Sequence, residues 1–244
     1  MTSPQPVSTV FEAIAPQRAF EEIAQQIRQQ VAAGQLRPGD RLPAERDLSL
    51  QFNVSRNTLR EALRALEHAG MIELRKGASG GAFILPGSSG VIINGMCDLF
   101  YLGAITPQHL TEARIWLADV VVRVACERAT EEDFAALEAN VEAASQAEKE
   151  GRFDDRQKLN RDFHIILART TKNPIIEITI EGIARVMGFF IANIGPSENS
   201  FMQSSRHRFL KHLRNQDGEA AVKEMTSNLK RLEQNYLKRW KDKV

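Results

Sequence analysis

Between Leu36 and Leu85 the chain signals a helix, a tight turn, an arginine-bearing helix and a glycine-rich hairpin in that order, and few folds accommodate that succession. Pro38-Gly39-Asp40 reads as a turn, and Pro43-Ala44-Glu45 opens a short helix with Leu48 and Phe52 on one side. Asn53-Val54 breaks this helix. Ser55 is placed to cap the next one, its hydroxyl accepting from the free N–H groups of the first turn. The second helix is expected to reach about Ala69. Its Leu59, Ala62, Leu63 and Leu66 repeat at helical spacing as a buried side, which leaves Arg56, Asn57, Arg60 and Arg64 pointing outward. Past Gly70, a fitting helix C-cap, residues 72–75 and 82–85 alternate like two strands around Lys76-Gly77-Ala78-Ser79-Gly80-Gly81.

That layout is a winged helix-turn-helix that reads DNA. An exposed helix start bearing Arg56, Asn57 and Thr58 suits base edges: arginine takes guanine in pairs, asparagine takes adenine, and threonine touches a methyl group or a phosphate. In the wing, glycines let the backbone approach a phosphate while Lys76 supplies charge. The structural alternative is an ordinary surface helix and hairpin with solvated arginines. The joint order of the elements weighs against it.

The segments Leu36-Arg37-Pro38-Gly39-Asp40-Arg41-Leu42-Pro43-Ala44-Glu45-Arg46-Asp47-Leu48 and Val54-Ser55-Arg56-Asn57-Thr58-Leu59-Arg60-Glu61-Ala62-Leu63 resemble the GntR superfamily of bacterial transcription regulators. The resemblance implies that Arg46, Arg56 and Arg60 are the main DNA contacts, with Ser55, Asn57 and Thr58 beside them and Lys76 and Gly77 in the wing. It also implies a homodimer on a short palindromic operator.

Composition is compatible with this reading without pointing to it. The 244 residues suffice for two domains, and a hydrophobic fraction of 43% supports packed cores. A net charge of +1 does not announce a nucleic-acid binder, so DNA affinity must come from a local cluster. Two cysteines, Cys97 and Cys126, are too few for a disulfide framework or a cysteine-based zinc site and are expected to be buried thiols. No signal peptide or membrane span is visible, so the expected location is the cytoplasm, with no membrane partner.

The expected division is a flexible tail over 1–17, a DNA-binding domain over 18–86, a linker over 87–106 and a helical effector-binding and dimerisation domain over 107–244. Pro86-Gly87-Ser88-Ser89-Gly90 ends the wing, and the apolar stretch 91–102 reads as a linker helix. Helices are expected over 108–128, 131–150, 153–170, 174–194, 201–215 and 218–240, broken at Asn173-Pro174, Gly195-Pro196 and Gln216-Asp217-Gly218. The fold class is therefore mainly α: a winged helix-turn-helix with a small β-hairpin wing, followed by an all-helical ligand-sensing bundle.

Glu112-Ala113-Arg114, Phe163-His164 and Asp217-Gly218-Glu219-Ala220-Ala221 resemble the FadR-like (FCD) branch of the superfamily, whose helical bundle senses a ligand. In many members the bundle holds a divalent metal through one Asp and three His, with an organic acid at or beside it. Here the corresponding positions are Asn160, His164, Arg206 and Asn228. Amides are weak neutral ligands and arginine has no lone pair to give, so no metal cofactor is expected. A shift of one residue would bring in His207 and restore a two-histidine site with His164.

Arg206 lies on the apolar side of its helix, near Phe209, Leu210 and Leu213, and a buried guanidinium needs an anion. The expected pocket grips a small carboxylate effector through Arg206, with Asn160, His164 and Asn228 completing the hydrogen bonds and Arg114 as a second clamp. The open alternatives are a core ion pair for Arg206 and a backbone-bonded core role for His164. Met187, Phe189, Phe190 and Ile191 line the cavity or belong to the core, and the basic tail Lys238-Arg239-Trp240-Lys241-Asp242-Lys243 touches phosphates or ends a solvated helix. The function expected is a ligand-responsive transcription regulator, by family habit a repressor released by its effector. The rivals are an effector-independent architectural DNA-binding dimer and an enzyme using His164 as general base. The latter lacks a nucleophile or paired carboxylates.

Overall fold

The computed structural model describes residues 17–77, 79–195, 199 and 201–243; apart from Gln17, the tail expected over 1–17 lies outside them. The chain forms two compact units that meet between Val91 and Ile92.

The first unit contains α1 (Gln17–Ala32), α2 (Glu45–Gln51), α3 (Arg56–His68), β1 (Ile72–Arg75) and β2 (Gly81–Ile84). Helix α1 escaped the reading of the sequence, although Phe20, Ile23, Ala24, Ile27 and Val31 recur at helical spacing. Ile23, Ala24 and Ile27 are buried in the same core as Leu59, Ala62, Leu63 and Leu66 of α3. Each buried isoleucine or leucine contributes about 1.5–3 kcal/mol and each alanine less, which is what makes a unit this small hold together. Asn53 takes a left-handed φ of 52° at the turn between α2 and α3, and Gly70 at φ 68° ends α3. Strands β1 and β2 pair antiparallel, Ile72 opposite Ile84 and Arg75 opposite Gly81. The segment after the Pro38-Gly39-Asp40 turn adds an outer edge: Leu42 N–H donates to Ala82 O at 2.8 Å, and Arg41 bridges to Phe83.

Helix α4 (Gly90–Tyr101) starts two residues before the boundary between the units, and the second unit holds the rest of it with α5 (Pro107–Arg128), α6 (Glu131–Lys149), α7 (Phe153–Arg169), α8 (Pro174–Ile194), α9 (Phe201–Arg214) and α10 (Gly218–Lys241). Local signals set the ends. Thr130 and Asp133 form a reciprocal capping box on α6, Asn173 caps α8 with Pro174 in its first turn, and Asp217 accepts from Ala220 N–H to start α10. Helices α5 to α10 enclose one core that also takes in Ile93 and Cys97 of α4. Both cysteines are buried and unpaired. The basic tail has a structural use: Arg239 donates to Ile194 O at 3.0 Å and Lys243 to Asn193 O at 2.6 Å, satisfying carbonyls at the end of α8, while Trp240 packs edge-on against Phe190.

Candidate nucleic-acid interface and ligand cavity

Ser55 caps α3, its hydroxyl accepting from Thr58 N–H at 3.1 Å and lying 2.9 Å from the Thr58 hydroxyl. Because those hydroxyls serve each other, the first turn of α3 is rigid where Arg56 and Asn57 stand exposed. Arg46 is exposed on α2. Arg60 is exposed too, but its Nε donates to Glu45 at 2.8 Å, an exposed ion pair of the kind that contributes under about 1 kcal/mol and is readily exchanged for a phosphate.

In the wing, Lys76 and Gly77 are exposed, and Gly77 adopts φ 102°. Gly81, at φ 144°, would place any Cβ 2.8 Å from the Arg41 Nε. That glycine lets Arg41 reach across the hairpin to donate to Gly80 O, so the wing's shape depends on it. Arg75 stacks 4.3 Å from the Phe83 ring and pairs with Glu73. Every residue expected to touch DNA from α2, α3 and the wing therefore lies on the surface or half-buried at it, although Arg60 and Ser55 already have protein partners.

In the helical unit, α5, α7, α8, α9 and α10 surround a cavity with about 660 Å³ of atom-free space, part of it open to solvent. Arg114, Asn160, His164 and Arg206 line it, and three of them converge: Arg114 Nη2 is 2.8 Å and Arg206 Nη2 2.9 Å from the same His164 Nε2. A guanidinium only donates, so this nitrogen is the acceptor and the proton sits on Nδ1. One lone pair thus serves two cations. Burial first, then the charges of Arg114 and Arg206, hold His164 well below the ordinary histidine pKa. Burial first, then Arg114, brings Arg206 down to about 9, while the Tyr236 phenol opposes the shift. Burial also lowers Arg114, whose guanidinium sits deep although the residue as a whole is partly exposed. Arg206 is further held 3.7 Å over the Phe163 ring. Neither deep arginine has a carboxylate partner among the described residues.

Asn228 does not line the cavity. It is buried on α10 with both amide atoms unpartnered in the described structure, one turn before Leu232, which does line it. His207 faces solvent and bonds Gln203 O through Nδ1, whereas His164 is buried, so the two are not brought together as a metal pair. The reason is helical: one residue past Arg206 is a rotation of about 100°, onto the outer face of α9. Nor do the cavity residues suit a divalent cation. The one good nitrogen donor is occupied by two guanidiniums, whose charge would repel a metal.

The structure adds lining residues that the sequence reading missed: Gln157, Arg161 and Tyr236. Gln157 and Arg161 share the stripe of α7 that carries Asn160 and His164, a periodicity visible in sequence once His164 is known to face inward. Of the apolar run in α8, Met187 and Ile191 line the cavity, Phe190 is core and Phe189 is partly exposed.

An exposed helix start beside a glycine-bearing wing, joined in one chain to a bundle around buried cations, fits a DNA reader carried with a ligand sensor. Comparisons with known proteins place it in a lineage. The sequence matches the profile of the bacterial regulatory proteins of the gntR family over residues 19–83 and that of the FCD domain over residues 109–231. It is 33% identical over 178 residues to RmpR of Mycobacterium gastri, named an HTH-type transcriptional regulator; that match spans 71% of this chain and 63% of RmpR, under two thirds of its length. It is 28% identical over 229 residues to the HTH-type transcriptional repressor NanR of Klebsiella aerogenes, covering 89% of this chain and 85% of that one. The fold is shared with a Streptococcus agalactiae GntR structure at a TM-score of 0.70 and 21% identity, over 88% of this chain and 99% of the other.

The chain belongs to the gntR family of bacterial regulatory proteins and carries an FCD domain. Its two matched regions are a DNA-binding and a ligand-sensing domain, and the relatives named above are transcription regulators. Among the described residues no helix is long and apolar enough to cross a membrane.

Proposed function

We propose that the protein is a cytoplasmic, homodimeric repressor that binds a palindromic operator and is released by a small carboxylate. Arg56 and Asn57 read base edges in the major groove, with Thr58 touching a methyl group or phosphate. Arg46, Arg60, Ser55, Lys76 and Gly77 hold the backbone. A dimer presents two such helices to inverted half-sites, so a small reorientation loses many contacts at once. The repressor direction follows the name of the NanR relative.

One observation carries the effector reading: two buried guanidiniums share a single neutral nitrogen and have no carboxylate among the described residues. An anion placed there would replace a poor shared acceptor with two charge-assisted, bidentate bonds. The same observation disfavours the architectural alternative, because a bundle that only dimerised would be better off with apolar residues at these positions. It also disfavours the enzyme alternative, since a histidine held this far below its ordinary pKa is a weak base.

Selection of binding sites from random DNA should enrich inverted half-sites, and a panel of small carboxylates should lower affinity for the selected site with EDTA present. Enrichment of a single asymmetric half-site would overturn the dimer reading. A response that chelator abolishes would overturn the metal-free one.

A further inference from the structure

The cavity has a third cation. Arg161 lines it on the same stripe of α7 as His164, and no Asp or Glu lines it anywhere. Arg161 has no hydrogen-bond or ion-pair partner among the described residues. Its seat is built by an absence across the helix interface: a Cβ on Gly188 of α8 would lie 3.0 Å from the Arg161 Cδ and 3.3 Å from its Nε. With no side chain at Gly188, Arg161 has room to lie across α8, and a methyl group there would displace it by a few tenths of an ångström. The cavity lining thus carries three arginines with no acidic counterpart, and the histidine between Arg114 and Arg206 is neutral. A monoanion would leave two of those charges uncompensated. The wall that α8 contributes is apolar, including Ile183, Met187 and Ile191, and suits a methylene chain.

We propose that the effector is an aliphatic dicarboxylate, with one carboxylate between Arg114 and Arg206, the chain along α8 and the second carboxylate on Arg161. This rests on the carboxylate reading of the cavity and makes Arg161, seated by Gly188, the residue that selects dianions.

Calorimetric titration of the full-length protein in EDTA would compare succinate, glutarate and adipate with butyrate, pentanoate and hexanoate, their monoacid counterparts of equal length. At least one diacid should bind about tenfold or more tighter than its counterpart, the scale of one charge-assisted contact. Arg161→Gln should erase that preference by weakening diacids about tenfold or more beyond any loss shown by monoacids, and Gly188→Ala should narrow it. Equal binding of diacids and monoacids by the native protein, or an equal loss of both in Arg161→Gln, overturns the dicarboxylate inference alone. If no acid of either series binds, or if Arg206→Gln leaves binding intact, the underlying carboxylate reading falls with it.

Discussion

The two units handle the same side chain in opposite ways. In the winged-helix unit Arg46, Arg56 and Arg60 stand in solvent, where a cation costs little to keep and can wait for a polyanion. In the helical unit Arg206 is 4% exposed and shares its acceptor with Arg114, an arrangement that destabilises the empty protein. Exposed arginines say little by themselves, because solvated arginine is common on any surface. Buried arginines without a carboxylate are rare and demand an explanation, which the proposed anion would provide.

The strongest way to break this contrast is to remove a deep cation. Arg206→Met should abolish the effector response while leaving operator binding intact, and should raise the stability of the empty protein by about 1 kcal/mol or more. The sign follows from the pKa. Arg206 is depressed to about 9 when folded, so below that pH both states are protonated and the folded state bears the full penalty of a buried charge. Above about 9 the unfolded chain binds more protons, the native protein gains relative stability, and its deficit against Arg206→Met shrinks. Chemical denaturation of both proteins across this range checks the claim. A variant less stable than the native protein at neutral pH would mean that stacking on Phe163 outweighs the charge.

The corresponding test of the exposed set is Arg56→Ala. It should cost about 1–3 kcal/mol of discrimination between the selected operator and random DNA. Lys76→Ala should instead weaken both alike and flatten the salt dependence. Equal losses on the two DNAs for Arg56→Ala would reduce it to another phosphate contact and erase the distinction within the winged-helix unit.

The legibility of the two sites in sequence differs for a physical reason. The winged helix is written in local signals: turn residues, a cap and a helical repeat within about a turn of one another, which is why α2, α3 and the wing are legible while α1, which lies before the first of those turn signals, is not. The cavity depends on five helices far apart in sequence, and no local rule says which side of each faces inward. Arg206 and His164 were reached through the spacing of apolar neighbours and a family resemblance. Arg161 was not, because its role depends on a missing side chain at Gly188, a contact across helices that spacing does not encode. Asn228 shows the limit of carrying a position over by counting: it is buried on the expected helix but lies off the cavity wall.

The histidine sharpens the buried side. His164 is neutral in the fold and held well below its ordinary pKa, so between that ordinary value and the depressed one the unfolded chain binds more protons. Stability should therefore fall as pH drops below about 6.5, by up to about 1.4 kcal/mol per pH unit for this one group. His164→Gln should flatten the slope by up to one proton, measured as the pH dependence of the denaturation midpoint. An unchanged slope would mean that His164 is protonated in the fold, which two guanidiniums at its Nε2 should forbid.

The smallest effect separates structure from contact on the DNA side. Ser55 is expected to touch DNA, yet its hydroxyl already accepts from Thr58 N–H. Ser55→Ala removes both roles and should cost about 1 kcal/mol of stability from the lost cap. Ser55→Asp keeps the cap, and a negative charge at a helix start is favourable, so stability should be retained. That same charge would face the phosphates, so operator affinity should drop if α3 enters the groove by its first turn. A Ser55→Asp protein that melts like the native one and binds its operator equally well would move the groove-facing surface away from Arg56 and Asn57. Loss of affinity with stability unchanged would place that first turn against DNA without any appeal to the base-reading residues themselves.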